Sequence, residues 1–88
     1  MTLPGEEFIQ DGLVDLKEGR ETVSALLVAI GAPRLRQLGI DVPPHEYDLP
    51  EHRLYQLLAA EDPDTAHSRY NAFLRRLVSY ENSYRCAA

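Results

Sequence analysis

Three residues stand in a line that could do chemistry. His67, Asn71 and Arg75 follow one another at four-residue steps, so on a helix they form one polar ridge of imidazole, carboxamide and guanidinium. Such a ridge can hold a phosphate, or set a histidine for acid–base work beside an arginine that steadies developing charge. A second concentration of reactive types, His45, Glu46, Asp48, Glu51 and His52, offers imidazoles and carboxylates of the kind that ligate metals.

Neither group meets the spacing its chemistry demands. Helical ribonucleases that use a His and an Arg place the Arg first, a few residues ahead, and here no Arg precedes a His that closely. The metal reading needs two histidines four apart on one helix face; His45 and His52 are not, and His52 falls opposite Leu54 and Leu58. Ser24, Ser68, Ser79 and Ser83 lack a nucleophile-elbow context, and Cys86 is terminal. Glycine-rich phosphate loops do not occur. These observations predict a chain that is not an enzyme and that takes no metal or cofactor, with His67, Asn71 and Arg75 as a candidate polar site rimming a packed surface.

The elements that must carry these residues are helical. The clearest is the last, predicted from Pro63 to Arg85 behind an Asp62 N-cap, where Ala66, Tyr70, Phe73, Leu77, Tyr80 and Tyr84 recur at steps of four and three, widened by Leu74 and Val78. Glu81 falls inside that stripe, a costly position for a carboxylate unless a cation of a neighbouring helix or subunit meets it.

Upstream, Glu6 to Glu18 carries Phe8, Ile9, Leu13 and Leu16 as a narrow apolar stripe, acids in its first turn and Gly19 as its cap. A second helix follows Thr22 and is apolar nearly all round through Ile30, which makes it the central element. Gly31 is expected to end it, and Pro33 to open a short segment reaching Leu38. Ile40 to Tyr47, with Pro43 and Pro44, reads as extended loop. Asp48 and Glu51 read as a capping box for a third helix running to about Ala60. The expected fold is therefore a single all-α domain, a small bundle of four to five helices with a long C-terminal helix.

Charge and composition narrow the function. The 88 residues carry a net charge of -5, arguing against nonspecific binding to nucleic acid or membrane surfaces. It is unevenly placed: residues 1 to 19 sum to -4 and residues 65 to 88 to +3. The longest wholly apolar run, Ala25 to Ile30, is far short of a membrane span, and the single cysteine fits a cytoplasmic home. A domain this small gains core by associating. Because Tyr and Arg are enriched at binding hot spots, Tyr70, Phe73, Arg76, Leu77, Tyr80 and Tyr84 form the expected interface, with another protein or a second copy in a dimer as partner. The alternative is a nucleic-acid-associated regulator in which Thr22 to Ile40 forms a weak helix-turn-helix outline presenting Arg34 and Arg36.

Overall fold

The computed structural model describes residues 3–87 and folds them into four helices: α1 Glu6–Glu18, α2 Val23–Gln37, α3 Pro50–Glu61 and α4 Ala66–Ala87. The described residues contain no strand, so the architecture is all-α, and α4 is the longest element. No helix among them is long and apolar enough to cross a membrane.

The turn from α1 into α2 is built by a chain of hydrogen bonds. Gly19 adopts φ 77°, which only glycine enters without cost, and this lets Arg20 N–H reach back to the Asp15 carbonyl at 2.8 Å. The Asp15 carboxylate accepts from Thr22 Oγ1 at 2.7 Å and from Arg20 Nε at 3.0 Å. Thr22 Oγ1 in turn accepts from the Ala25 N–H, so the same hydroxyl caps α2. Those two donors hold the Asp15 carboxyl below its ordinary range, the Thr22 bond contributing most.

Helix α2 is the centre of the domain. Leu26, Leu27, Val28 and Leu35 are fully buried, as the apolar run predicts. Its break at Gly31, however, does not occur. Helix α2 runs through Gly31 and Pro33 to Gln37, which settles the expected four to five helices at four among the described residues and removes the turn on which the helix-turn-helix outline depends. An interior proline costs about 3 kcal/mol through its missing N–H and its clash with the preceding turn. Burial of Ala32 and Leu35 on either side of it, each side chain bringing a gain of that order or less, keeps the face continuous. Gly31 is there for contact with α4, since a Cβ on it would lie 2.8 Å from Leu77 Cδ1. The actual stop is Gly39, φ 93°, after which Ile40 N–H bonds the Leu35 carbonyl at 3.0 Å.

Two further starts differ from expectation. Leu49 rather than Asp48 is the N-cap of α3, at φ -132° and without a side-chain cap, so the Asp48–Glu51 capping box is not formed. Pro50 at the first helical position keeps the residue before it out of helical backbone, which leaves Asp48 outside the helix. Helix α4 begins at Ala66 rather than Pro63. Asp62 does cap, but what it caps is a turn: its carboxylate accepts from Asp64 N–H at 3.1 Å and its carbonyl from Thr65 N–H at 3.3 Å.

The extended loop is tied at both ends. Arg36 donates to the carbonyls of Val42 at 3.2 Å and Pro43 at 3.4 Å, and Val42 is buried. Arg53 of α3 pairs through Nε and Nη2 with the Glu21 carboxylate and lies 5.1 Å from the centre of the Tyr47 ring.

Of the glycines, Gly12 has the least room, since a Cβ on it would fall 2.3 Å from the Ser24 carbonyl oxygen and 2.4 Å from Val28 Cγ2. Gly12→Ala should therefore destabilise the domain by roughly 1–3 kcal/mol, although alanine is the better helix former by about 1 kcal/mol. Urea unfolding followed by circular dichroism measures this; unchanged or increased stability would mean that α1 and α2 are not in such close contact.

Candidate functional site

Helix α4 divides into an inner side, two flanks and an outer side. On the inner side Ala66, Leu77 and Tyr80 are buried in the domain's own core. Tyr70, Phe73, Leu74 and Tyr84 are half-buried against it. Of the six residues expected at the interface, Leu77 and Tyr80 are thus enclosed by the chain itself, and Leu77 packs against α2 at Gly31.

The aromatic residues are engaged within the molecule. Phe73 meets Phe8 of α1 edge to face at 5.5 Å, and the Arg76 guanidinium covers both rings at 4.9 and 5.6 Å. Arg76 is exposed, yet its flat face is already occupied by this cation–π contact. Tyr70 meets Tyr55 of α3 at 5.7 Å, and Tyr80 lies 6.0 Å from Tyr84. Burial raises the Tyr70 and Tyr80 hydroxyls above the usual phenol range, with Glu51 adding to the first and Glu6 to the second.

Glu81 keeps the awkward place expected of it. Its side chain turns inward to α2, where Oε2 would lie 3.2 Å from a Cβ on Gly31, and the residue is only 9% exposed. Arg34 is the cation that faces it, but the two make no ion pair at contact distance among the described residues. Burial dominates, so the carboxyl is pushed above its ordinary range, with Arg34 offsetting part of that rise.

The outer side is different in kind. His67, Asn71, Leu74, Arg75, Val78, Asn82 and Arg85 fall on one face at 100° per residue, and all but the half-buried Leu74 are exposed. The ridge of His67, Asn71 and Arg75 therefore does form, with the Asn71 amide 3.3 Å from His67 Nε2. Val78 is 50% exposed and sits beside a shallow hollow of about 510 Å³ lined by Asn71, Leu74, Arg75, Val78 and Ser79. Arg75 and Arg85 enter no ion pair among the described residues.

The sequence pattern assigned Leu74 and Val78 to the core-facing stripe; Leu74 does pack half-buried against the core, and the exposure of Val78 is what it missed. A signal was present: Asn71, Arg75, Asn82 and Arg85 surround Val78 on the helix surface, an environment no buried valine would have.

The second cluster is not brought together. His45 stacks on Tyr47 and its Nδ1 accepts from the Tyr47 N–H at 3.3 Å, while His52 pairs with Gln56 at 3.1 Å on α3. Among the described residues no group of three or more His, Cys, Asp or Glu side chains could hold a metal ion.

Comparison with protein-family models, with curated proteins and with solved structures finds no match to this chain. The functional reading therefore rests on the surface of α4 itself.

Glu81 generates a signed pH dependence. With its folded value raised, Glu81 binds its proton more tightly in the native than in the unfolded state. Its cost is absent at low pH and grows as pH rises from the ordinary carboxylate range through the raised folded value. Glu81→Gln should remove that dependence and stabilise the protein at pH 7 by roughly 0.5–2 kcal/mol. Denaturant midpoints of both proteins measured from about pH 4 to pH 8 check it; a difference that does not widen with pH would show the carboxylate to be better solvated than its burial implies.

Proposed function

We propose that this protein is a small helical protein-interaction module that acts through the outer face of its C-terminal helix. The observation that carries the reading is the division of labour on α4. The inner side and flanks are consumed in holding the domain together, whereas the outer side presents a half-exposed valine and a leucine rimmed by cations that have no partner in the described chain. An apolar centre with a polar, hydrogen-bonding rim is the anatomy of a recognition surface.

Two features of the site chemistry support binding over catalysis. The His67 imidazole is exposed and tethered to an amide rather than to a carboxylate that would orient it for proton transfer. The hollow beside Val78 is open and shallow, suited to a side chain of a partner and not to enclosing a small substrate away from water. Arg34 and Arg36 do not sit on a separate recognition helix, and Arg36 is spent on the loop carbonyls, so the surface of α4 carries the stronger case.

The test uses the full chain, tagged, to capture companions from its host, with Val78→Asp/Arg75→Glu as the altered surface and Gln37→Arg, at the end of α2, as a control. The double variant should lose a stoichiometric protein that the wild type and the control retain, with affinity lowered at least about ten-fold. Retention of every companion by a folded double variant would place the binding surface elsewhere.

A further inference from the structure

Resting on the reading of α4 as the binding face, we infer that its occupant is the outer face of α1 from a second copy of this chain. Exposed on one face of α1 are Glu7, Asp11, Val14 and Glu18, with Lys17 at the border of that face, so three acids stand against one base. Val14 is 50% exposed, like Val78, and is one of the few large apolar side chains that the fold leaves out. Each helix thus presents a single half-exposed valine amid charge, acidic on α1 and basic on α4.

The two faces match in register as well as in sign when the helices run antiparallel. On α1, Glu7 and Val14 are seven residues apart, and Val14 and Glu18 four. On α4, Arg85 and Val78 are seven apart, and Val78 and Arg75 three. At about 1.5 Å per residue, setting valine against valine brings Glu7 opposite Arg85 and Glu18 opposite Arg75 to within about one residue's rise. Beside Val14 lies a hollow of about 440 Å³ bordered by Asp11, Asp15 and Thr22, the counterpart of the hollow beside Val78, so each valine has a place in the opposite surface.

Other pairings fit less well. An α4 face set against its own copy would bring Arg75 and Arg85 near like charges, with no exposed acid on that face to relieve them. Nor can the two faces meet within one molecule. Helix α1 touches α4 through Phe8 on the Phe73 and Arg76 side, which lies across the helix from Val78. Glu18 is shared with Arg20, but both side chains are half exposed and that pair is free to rearrange. The contact is short and its charges are open to solvent, so the association is weak, concentration-dependent and screened by salt.

Sedimentation equilibrium of the full chain from about 10 µM to 1 mM, in about 20 mM and about 0.5 M sodium chloride, tests the contact. The mean mass should rise above one protomer with concentration at low salt and fall back at high salt. Glu7→Arg/Glu18→Arg and Arg75→Glu/Arg85→Glu should each, folded by circular dichroism, weaken self-association at least about ten-fold, and their equimolar mixture should restore it. Self-association unaffected by reversal on α1 would overturn the pairing, as would a wild type that stays monomeric throughout. If the wild type is monomeric while Val78→Asp/Arg75→Glu still loses a captured protein, the α4 face stands as a binding surface and its occupant is a different protein.

Discussion

Helix α2 has no side left for solvent along most of its length, and the rest of the domain is arranged by that fact. Leu26, Leu27 and Val28 are successive and all fully buried, so neighbours must cover the helix from every direction. With only three other helices to do so, each must come close. Two glycines permit it: Gly12 lets α1 lie against the Ser24 carbonyl, and Gly31 admits Leu77 of α4. A β-carbon at Gly12 would meet backbone and hold the helices apart, whereas one at Gly31 would displace the end of the Leu77 side chain from its place in the core.

The close approach at Gly31 also fixes which way α4 turns. Leu77 and Tyr80 are drawn inward, and Glu81, one step further round, is drawn in with them at the cost of burying a carboxylate beside an arginine that does not reach it. That cost is borne because rotating α4 to release Glu81 would withdraw Leu77 from its contact. The same rotation places Val78 on the far side. The buried acid and the exposed valine, three residues apart in sequence, are two consequences of one packing contact.

This explains what could be read from the residues and what could not. The all-α architecture, the long last helix, the central second helix and the Gly19 cap follow from periodicity and local preference, which act within a few residues. Gly31 and Pro33 were read by local rules as a stop and a start, yet the helix continues through both, and Gly31 faces Leu77, more than forty residues away, a contact no local rule sees. The Asp48 capping box failed for a nearer reason, because Pro50 fixes the backbone ahead of it before any side chain can cap. On the candidate site, the ridge of His67, Asn71 and Arg75 needs only helical spacing and was legible. The position of Val78 was signalled only by its polar neighbours Arg75 and Asn82, since a stripe widened by one residue shows which side of a helix is apolar without showing where the neighbouring helix stops.

Segregated charge gives these leftover surfaces direction. A domain whose first helix is acidic and whose last is basic has unlike charge on two separate faces, and each face is centred on a valine the core did not absorb. A small fold cannot cover all its apolar surface, so some exposure of this kind is expected of any chain this size. Scattered exposure would carry no information. Here the exposed valines fall at the centres of oppositely charged helical faces, and the flanking charges stand at nearly equal distances from them. Hydrophobic contact alone would let such valines meet in any pairing; the flanking charges disfavour like faces and favour one orientation, acidic helix to basic helix, in which both valines are covered and Glu7 and Glu18 outweigh the single exposed Lys17 beside Val14.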